Sequence, residues 1–358
     1  MSAFPVHPDG VDADWLNDSL EGTEWLAEGP VESVSWEAIG TGQVGDSVRF
    51  HLTHAGGAKS TLAAKFPAAD HASRSTAALL QLYTKEVRFY ADIAPQLAVR
   101  VPEALVAEVD EEGSEFILLF EDLGPARGGN QIAGCTIEDA RAAIRQAAAI
   151  HAPSWHNSAI LTADWLQRSE AIDAQVRTLY PQAQAVFAER YADMLEPEYM
   201  ALCDALAAHP QLFNHAEGAS PQCVVHGDFR LDNFLFDVKG GAEAIAVLDW
   251  QTVTAGKAMT DIGYFLGCGI GDDLRRAHEE ELLALYLEEM AARGVALSRE
   301  DIWTDYRLGA LHGVTTAVFS AAFVERTPRG DANFLSMARG ACALALHHDS
   351  LSALKETA

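Results

Sequence analysis

A short polar loop between two apolar runs constrains this chain more than any other stretch. Residues Val224 to Phe236 read VVHGDFRLDNFLF, with His226, Asp228 and Asn233 in the polar middle. A loop between two buried strands can hold such side chains rigidly at the edge of a cleft. The pattern therefore predicts a strand, a functional loop and a second strand.

The loop carries the residue types that phosphoryl transfer uses. Asp228 offers a carboxylate that can accept a proton, and Asn233 offers an amide oxygen to a cation. A further apolar run, residues 244–248, ends at another carboxylate, Asp249. Two carboxylates and an amide oxygen are hard ligands that suit Mg²⁺, with phosphate oxygens completing its shell. The pattern thus predicts phosphoryl transfer, in which positioning and charge neutralisation carry most of the catalysis.

The order of these residues is similar to a known catalytic loop. His226-Gly227-Asp228 with Asn233 resembles the His-Gly-Asp-x-x-x-x-Asn loop of the aminoglycoside phosphotransferase family, which are small-molecule kinases related to protein kinases. The resemblance implies that Asp228 is the catalytic base, that Asn233 is a Mg²⁺ ligand and that His226 supports the site. Arg230 stands where protein kinases place a Lys that faces the transferred phosphate.

Two later aspartates extend the resemblance. Asp249, in LDWQ, resembles the metal-binding Asp of the kinase Asp-Phe-Gly motif, and the change to Asp-Trp-Gln is found notably in the ecdysteroid kinase-like branch. Asp261, in TDIGYFL, resembles a structural Asp that braces the catalytic-loop backbone from a helix N-terminus. An Asp- and Asn-rich turn between two strands is the alternative interpretation; the loop followed by Asp249 favours the kinase one.

A glycine-rich segment near the N-terminus predicts a phosphate-binding flap. Residues 40–45 read GTGQVG, which gives glycines at Gly40, Gly42 and Gly45. A strand pattern follows it, whereas a dinucleotide-binding fold would need a helix there. Because its glycines have no side chains, a hairpin of this kind lets backbone N–H groups approach the phosphates of ATP.

The next strand and helix supply a candidate ion pair. Lys65 lies in the strand pattern of residues 60–67 and resembles the third-strand Lys of kinases, which holds the α- and β-phosphates. Residues 79–90 have apolar positions at a helical period, with Glu86 beside that face. The resemblance implies that Glu86 is the partner of Lys65.

A buried strand pattern at residues 114–120 runs into an acidic turn that resembles the hinge between kinase lobes. The resemblance implies that the backbone from Phe120 to Leu123, including Glu121 and Asp122, contacts the adenine ring. The same acidic side chains could instead cap the segment that follows.

Composition excludes several classes of function. The net charge of −27 disfavours nucleic-acid binding because no basic stripe exists to meet phosphates. Five scattered cysteines form neither a disulfide framework nor a zinc motif. The sequence contains no stretch of about 18 apolar residues, so it predicts no membrane span. The first ten residues have no signal-peptide pattern. We therefore expect a cytoplasmic protein.

The rest of the chain reads as helices. A Thr136 and Asp139 pair predicts a capped helix that ends at Pro153, and His151 is expected to be a satisfied structural histidine. Further helices are expected over residues 171–208, with breaks at Pro181 and Pro197, and over residues 272–293, 299–326 and 333–354.

Together these features predict a protein-kinase-like, two-lobe α+β fold. The expected division is an antiparallel-sheet lobe over residues 1–123 and a helical lobe over residues 124–358. The expected reaction uses ATP and Mg²⁺ to phosphorylate a hydroxyl of a small-molecule alcohol, and the sequence leaves the oligomeric state open. The stretch between Asp249 and Asp261 is too short for a protein-kinase activation segment. A catalytically silent nucleotide-binding scaffold and an unrelated glycine-flap binding module remain as alternatives.

The acceptor is the least determined part. Residues 150–166, which resemble the corresponding insert of the ecdysteroid kinase-like branch, include Trp155 and Trp165 and few acids. A polycationic aminoglycoside needs several carboxylates on one wall, whereas an apolar wall suits a bulky, partly apolar alcohol. The two tryptophans could equally be core residues. The sequence predicts activity on uncharged alcohols and weak activity on aminoglycosides.

Overall fold

The structure is a computed structural model that describes residues 4–40, 45–167, 170–209, 222–324 and 326–356. The strands are β1 (Val31–Ala38), β2 (Gly45–His54), β3 (Lys59–Pro67), β4 (Ala104–Val109), β5 (Phe116–Glu121), β6 (Arg127–Gly128), β7 (Cys223–Val225), β8 (Phe234–Asp237), β9 (Glu243–Val247) and β10 (Thr254–Gly256). The helices are α1 (Ala13–Ser19), α2 (His71–Leu79), α3 (Leu82–Arg88), α4 (Ile137–Ser154), α5 (Ser158–Leu161), α6 (Glu170–Tyr191), α7 (Pro197–Ala207), α8 (Val238–Gly241), α9 (Met259–Tyr264), α10 (Asp272–Ala292), α11 (Arg299–Phe323), α12 (Pro328–His347) and α13 (Ser350–Glu356).

The chain forms two compact units, and their boundaries differ from the single division expected at residue 123. The first unit comprises Met1–Gln96, Arg100–Ala126 and Asp237–Thr252, and the second comprises Leu97–Val99, Arg127–Phe236 and Val253–Ala358. The chain therefore returns to the first unit after β8, so that Asp249 belongs with Lys65 and Glu86. A division by position along the chain misses this return because it ignores long-range contacts.

The first unit is built on an antiparallel five-stranded sheet in the order β1-β2-β3-β5-β4. Val48, Phe50 and Leu52 alternate along β2 and are buried, because successive side chains of a strand point to opposite faces. Leu16 of α1 packs into the same apolar cluster. The β2 and β3 register pairs Ser47 with Lys65, which fixes the position of Lys65 on the sheet.

The second unit is largely helical and contains the polar loop. β7 pairs antiparallel with β10, and β6 pairs antiparallel with β8. α9 packs closely on α11 where a Cβ on Gly309 would lie 1.9 Å from the carbonyl oxygen of Met259. Glycine is therefore required there, and the close contact holds α9 against the longest helix of the described chain.

The helical pattern is confirmed in most places and wrong in two: at Pro181, and over residues 333–354, where two helices, α12 and α13, stand in place of the single expected one. The capping box of Thr136 and Asp139 begins α4, and Pro197 stands at the start of α7. Pro181, expected to break a helix, lies inside α6, where buried side chains on both sides, Tyr180 and Phe187 among them, keep the helix in place. Within the described residues, no helix is both long and apolar enough to cross a bilayer.

Candidate active site

The polar loop of the second unit lies between β7 and β8, as the apolar runs on each side predict. Its first turn is fixed by Asp261 on α9, whose carboxylate accepts hydrogen bonds from the backbone N–H groups of His226 (2.7 Å) and Gly227 (2.9 Å). Gly227 has a φ of 81°, which a residue with a side chain rarely adopts. The loop backbone is thus held from a packed helix.

Asp261 is itself completely buried and paired. Nε2 of His151 lies 3.2 Å from Asp261 Oδ2, and Nδ1 of His151 lies 3.0 Å from the hydroxyl of Tyr286. Burial raises the pKa of Asp261, but the hydrogen bonds from the His151 side chain and the His226 backbone outweigh it, so the pKa lies below its usual value. His151 is a satisfied structural histidine, as expected.

The carboxylate of Asp228 is oriented by three side chains. Arg230 donates from Nε to both carboxylate oxygens (3.0 and 3.1 Å), and Asn233 donates from Nδ2 to Oδ2 (2.8 Å). Tyr264 on α9 donates its hydroxyl to Oδ1 (2.8 Å). The Asp228 side chain remains 21% exposed, so its carboxylate is still accessible from solvent.

Tyr264 was not singled out from the sequence, although a signal existed. Tyr264 follows Asp261 by three residues on α9, and residues three apart lie on the same face of a helix. Asp261 holds the loop backbone and Tyr264 holds the loop carboxylate. The spacing within the already recognised TDIGY motif could therefore have identified it.

Asn233 presents its amide in a defined orientation. Its Nδ2 donates to the backbone oxygen and the carboxylate of Asp228, both at 2.8 Å. The opposite atom, Oδ1, is an acceptor that cannot receive those bonds. The side chain thus offers an oxygen of the kind that Mg²⁺ prefers.

In the first unit, one ammonium group meets two carboxylates. Lys65 Nζ lies 2.7 and 2.9 Å from the Glu86 oxygens and 2.8 Å from Asp249 Oδ1. Burial alone would lower the pKa of Lys65, but Asp249 and Glu86 reverse this and raise it, so the ammonium stays charged. Burial raises the pKa of Glu86; Lys65 lowers it and Asp249 raises it again, for a net rise.

This cluster carries more negative than positive charge, which is the chemistry of a cation site. The single charge of Lys65 cannot balance both carboxylates, and Asp249 remains 31% exposed on its side chain. A hard divalent cation beside Asp249 would offset the excess. The donor set therefore fits Mg²⁺.

The backbone around Asp249 is conformationally special and firmly anchored. Asp249 has a φ of 63°, in the left-handed region that non-glycine residues seldom occupy. The next residue, Trp250, is fully buried and stacks on Phe89 with ring centroids 3.7 Å apart. This stacking explains why a large aromatic residue follows Asp249.

The acidic hinge side chains are engaged in structural ion pairs. Asp122 accepts from Nε of Arg49 (2.6 Å), and Glu121 pairs with Arg100 and Lys239. Burial raises the pKa of Glu121, but the hydrogen bonds from Arg100 and Lys239 lower it by a larger amount, so that the pKa is about 2. These side chains stabilise the strand end, and the carbonyl of Leu123 accepts from the N–H of Lys239.

The glycine segment is described only at its ends. Gly40 has a φ of 81°, and a Cβ on Gly45 would lie 3.3 Å from Cε of Lys65. Gly42 lies outside the described residues. The segment thus begins in a conformation that favours glycine and ends against the side chain of Lys65.

The insert at residues 150–166 packs on the strand that leads into the loop. Ser154 Oγ accepts from the N–H of Val224 on β7 (2.9 Å), and the carbonyl of Leu166 accepts from Thr254 on β10 (2.9 Å). Trp155 and Trp165 are both half-buried. The insert therefore braces the β7 and β10 pair.

Comparison with known proteins identifies the same architecture. A profile of the ecdysteroid kinase-like family matches residues 47–297. A candidate aminoglycoside phosphotransferase from Ralstonia eutropha jmp134 superposes with a TM-score of 0.54 at 18% identity, covering 94% of this chain and 97% of that one. The GDP complex of wild-type aminoglycoside 2'-phosphotransferase-IIIa gives a TM-score of 0.53 at 15% identity, covering 93% and 95%. The predicted protein-kinase-like fold is confirmed.

Curated relatives match only a short stretch. Mouse acyl-CoA dehydrogenase family member 11 is 45% identical over 51 residues, which is 14% of this chain and 6% of the relative. Mouse acyl-CoA dehydrogenase family member 10 is 51% identical over 41 residues, or 12% of this chain and 4% of the relative. The chain therefore matches a small fraction of these much longer proteins.

Proposed function

The chain belongs to the ecdysteroid kinase-like family, and we propose that it transfers the γ-phosphoryl group of ATP to a hydroxyl group of a small molecule. The observation that carries the proposal is the Asp228 carboxylate, which is oriented by Arg230, Asn233 and Tyr264 and is still partly exposed. A carboxylate held in this way can orient a hydroxyl and accept its proton.

The reaction balances without a further reactant. The acceptor oxygen forms a bond to the γ-phosphorus, the bond from that phosphorus to the β–γ bridging oxygen breaks, and the hydroxyl proton moves to Asp228. The products are a phosphate monoester and ADP. Because such a transition state spreads charge over the phosphoryl oxygens, most of the catalysis comes from positioning and electrostatics.

Arg230 is proposed to steady that developing charge. Burial would lower its pKa, but Asp228 and the other acidic neighbours raise it above the usual value, so the guanidinium stays charged. Its Nε holds Asp228 and its NH1 holds Asp232 (3.0 Å). The cation is thus fixed beside the base.

Lys65 is proposed to hold the phosphates of the nucleotide, with Glu86 fixing the direction of its side chain. Asp249 and Asn233 would hold Mg²⁺, which neutralises charge on phosphate oxygens when it is bound. His226 and Asp261 support the loop without touching the substrate: His226 Nδ1 accepts from the N–H of Asp228 at 3.2 Å.

The backbone from Phe120 to Leu123 is proposed to meet the base of the nucleotide. Several solved neighbours were obtained with GDP, so ATP and GTP should both be tested. The five cysteines are free thiols, which fits a reducing, ATP-rich compartment such as the cytoplasm.

A coupled assay of ADP or GDP release with a library of hydroxyl compounds tests the proposal. We expect turnover with at least one neutral alcohol and loss of about 10²–10⁴ in rate for Asp228→Asn, because the amide keeps the shape but cannot accept the proton. Nucleotide binding by the variant should stay within a few-fold. Nucleotide binding without turnover of any compound would favour a catalytically silent scaffold, and near-wild-type turnover by Asp228→Asn would remove Asp228 from its role.

A further inference from the structure

The carbonyl group that directly precedes Asp228 is held by a histidine from a distant part of the chain. Nε2 of His312, on α11, lies 2.9 Å from the backbone oxygen of Gly227, 85 residues earlier. A carbonyl oxygen can only accept a hydrogen bond, so Nε2 of His312 carries the proton and donates it. The bond ties α11 to the peptide unit from which the Asp228 side chain departs.

The same peptide unit is held at its other end by His226. Nδ1 of His226 accepts from the backbone N–H of Asp228 at 3.2 Å, so one imidazole donates to this peptide and another accepts from it. The peptide unit is planar, and the Cα atom of Asp228 lies in its plane. The two histidines therefore fix the direction in which the Asp228 side chain leaves the backbone.

His312 also packs on a side chain that contacts Asp228. Its imidazole meets the ring of Tyr264 edge to face, with centroids 5.2 Å apart and an interplanar angle of 75°. The hydroxyl of Tyr264 donates to Oδ1 of Asp228. The His312 ring thus supports Asp228 in two ways, through the backbone carbonyl of Gly227 and through the position of the Tyr264 ring.

Glycines on α11 bring His312 close enough for these contacts. Gly309 precedes His312 by three residues, and a Cβ there would lie 1.9 Å from the carbonyl oxygen of Met259 on α9. Gly313 follows His312, and a Cβ there would lie 2.6 Å from Sγ of Cys268. A side chain at either position would push α11 outward, because packed helices leave no room for an extra carbon. The approach of α11 to the loop is therefore built into the helix itself.

We infer that His312 is a positioning residue for the proposed base, Asp228. It holds the Gly227 carbonyl and the Tyr264 ring, and it acts on the reaction only through the orientation of the Asp228 carboxylate. A small displacement of a reacting group can cost about a hundredfold in rate. This inference rests on the proposed function, and it adds a residue that lies outside the catalytic-loop motif.

Two substitutions separate the hydrogen bond from the space that the ring fills. His312→Gln keeps a side-chain N–H near the place of Nε2, whereas His312→Leu fills the space without a donor. We expect His312→Leu to lower kcat about ten- to a hundredfold and His312→Gln to stay within about threefold of the wild-type protein. KM for the alcohol and for the nucleotide should change by less than about twofold in both variants, because His312 does not touch either substrate.

His348→Leu is the matched control for a general loss of stability. The His348 side chain is also partly buried, and its Nε2 lies 2.5 Å from Glu279, away from the catalytic loop. Urea unfolding should show that both leucine variants are destabilised, whereas kcat of His348→Leu should stay within about twofold of the wild-type value. An equal fall in kcat for the two leucine variants would overturn the positioning role.

Three further kinetic results would overturn the inference. A kcat near the wild-type value in His312→Leu would show that the loop needs no support from α11. Equally low kcat values in the glutamine and leucine variants would exclude the hydrogen bond to Gly227 as the cause. A raised KM for the alcohol with an unchanged kcat would make His312 a contact of the acceptor instead.

Hydrogen exchange of the loop, followed by mass spectrometry of peptides that cover residues 224–236, tests the same contact without turnover. The loop amides should exchange about tenfold faster in His312→Leu and at the wild-type rate in His312→Gln. This exchange pattern in a protein that phosphorylates no compound would overturn the proposed function and leave the structural contact in place. Phosphorylation by a protein whose kcat and loop exchange are both indifferent to His312→Leu would overturn the inference and leave the proposed function standing.

Discussion

The hydroxyl group of Tyr264 donates a hydrogen bond to Oδ1 of Asp228 over 2.8 Å. Burial raises the pKa of Tyr264 well above its usual value, and the nearby negative charge of Asp228 raises it further. The hydroxyl therefore keeps its proton and remains a donor through the neutral range. Helix α9 thus orients the Asp228 carboxylate directly, in addition to bracing the loop backbone through Asp261.

We predict that Tyr264→Phe lowers kcat about tenfold with little change in nucleotide affinity, because the base loses one of its orienting hydrogen bonds. Steady-state kinetics on any accepted alcohol would measure this. Tyr306→Phe is the control, because it removes another buried hydroxyl, one that donates to Glu279 at 2.7 Å. Equal kcat values in the two variants would show that Tyr264 contributes only to stability.

Lys65→Ala and Asp249→Ala should weaken nucleotide binding through different interactions. Lys65 is proposed to contact the phosphates directly, whereas Asp249 acts through Mg²⁺. Calorimetry should show that Lys65→Ala weakens both Mg-ATP and metal-free ATP. Asp249→Ala should abolish the difference in affinity between Mg-ATP and metal-free ATP. A full Mg²⁺ dependence in Asp249→Ala would rule out the metal assignment.

Asp261→Asn should destabilise the second unit and slow turnover together. An amide can accept through only one of its two groups, so its NH₂ group would face either the N–H of Gly227 or the N–H of His226 together with His151. Disrupting a buried, fully paired carboxylate costs about 3 kcal/mol. Urea unfolding would measure the loss, and kcat measured well below the unfolding midpoint would report the displaced loop. An unchanged unfolding midpoint would show that the brace is dispensable.

Glu279 should make stability fall in acid. Burial raises the pKa of Glu279. Hydrogen bonds from His348 and Tyr306, together with the charge of Arg275, lower it by a larger amount, so that the pKa is about 2. Because the folded pKa is depressed below an unfolded value of about 4.3, the contribution to stability is complete above that value. It is lost as the pH falls from about 5 toward 2.

Urea unfolding at several pH values would measure this contribution, which we expect to be about 3 kcal/mol at neutral pH. Glu279→Gln should be less stable than the wild-type protein at pH 7, and the difference should shrink below pH 4. A difference that is independent of pH would assign the effect to packing. Glu279, His347 and His348 could also be taken for a metal site, but NH1 of Arg275 lies 2.7 Å from Glu279 and 3.1 Å from His347, where it would repel a cation.

The sequence by itself determined the local chemistry of this protein. The spacing from His226 to Asn233 predicted the loop, because a strand, a tight turn and a strand are set by residues close together in the chain. The helical periods of residues 272–293 and 299–326 predicted α10 and α11 to within a few residues. Lys65 and Glu86 were paired correctly from their order, and the structure brings them within 2.7 Å.

Only the tertiary structure decided how distant segments combine. Asp249 joins Lys65 and Glu86 because the chain returns to the first unit at Asp237, and no local pattern encodes such a return. The helix through Pro181 persists because long-range burial outweighs the lost hydrogen bond. Local propensity fixes elements over a few residues, whereas contacts between distant residues depend on packing that no short stretch contains.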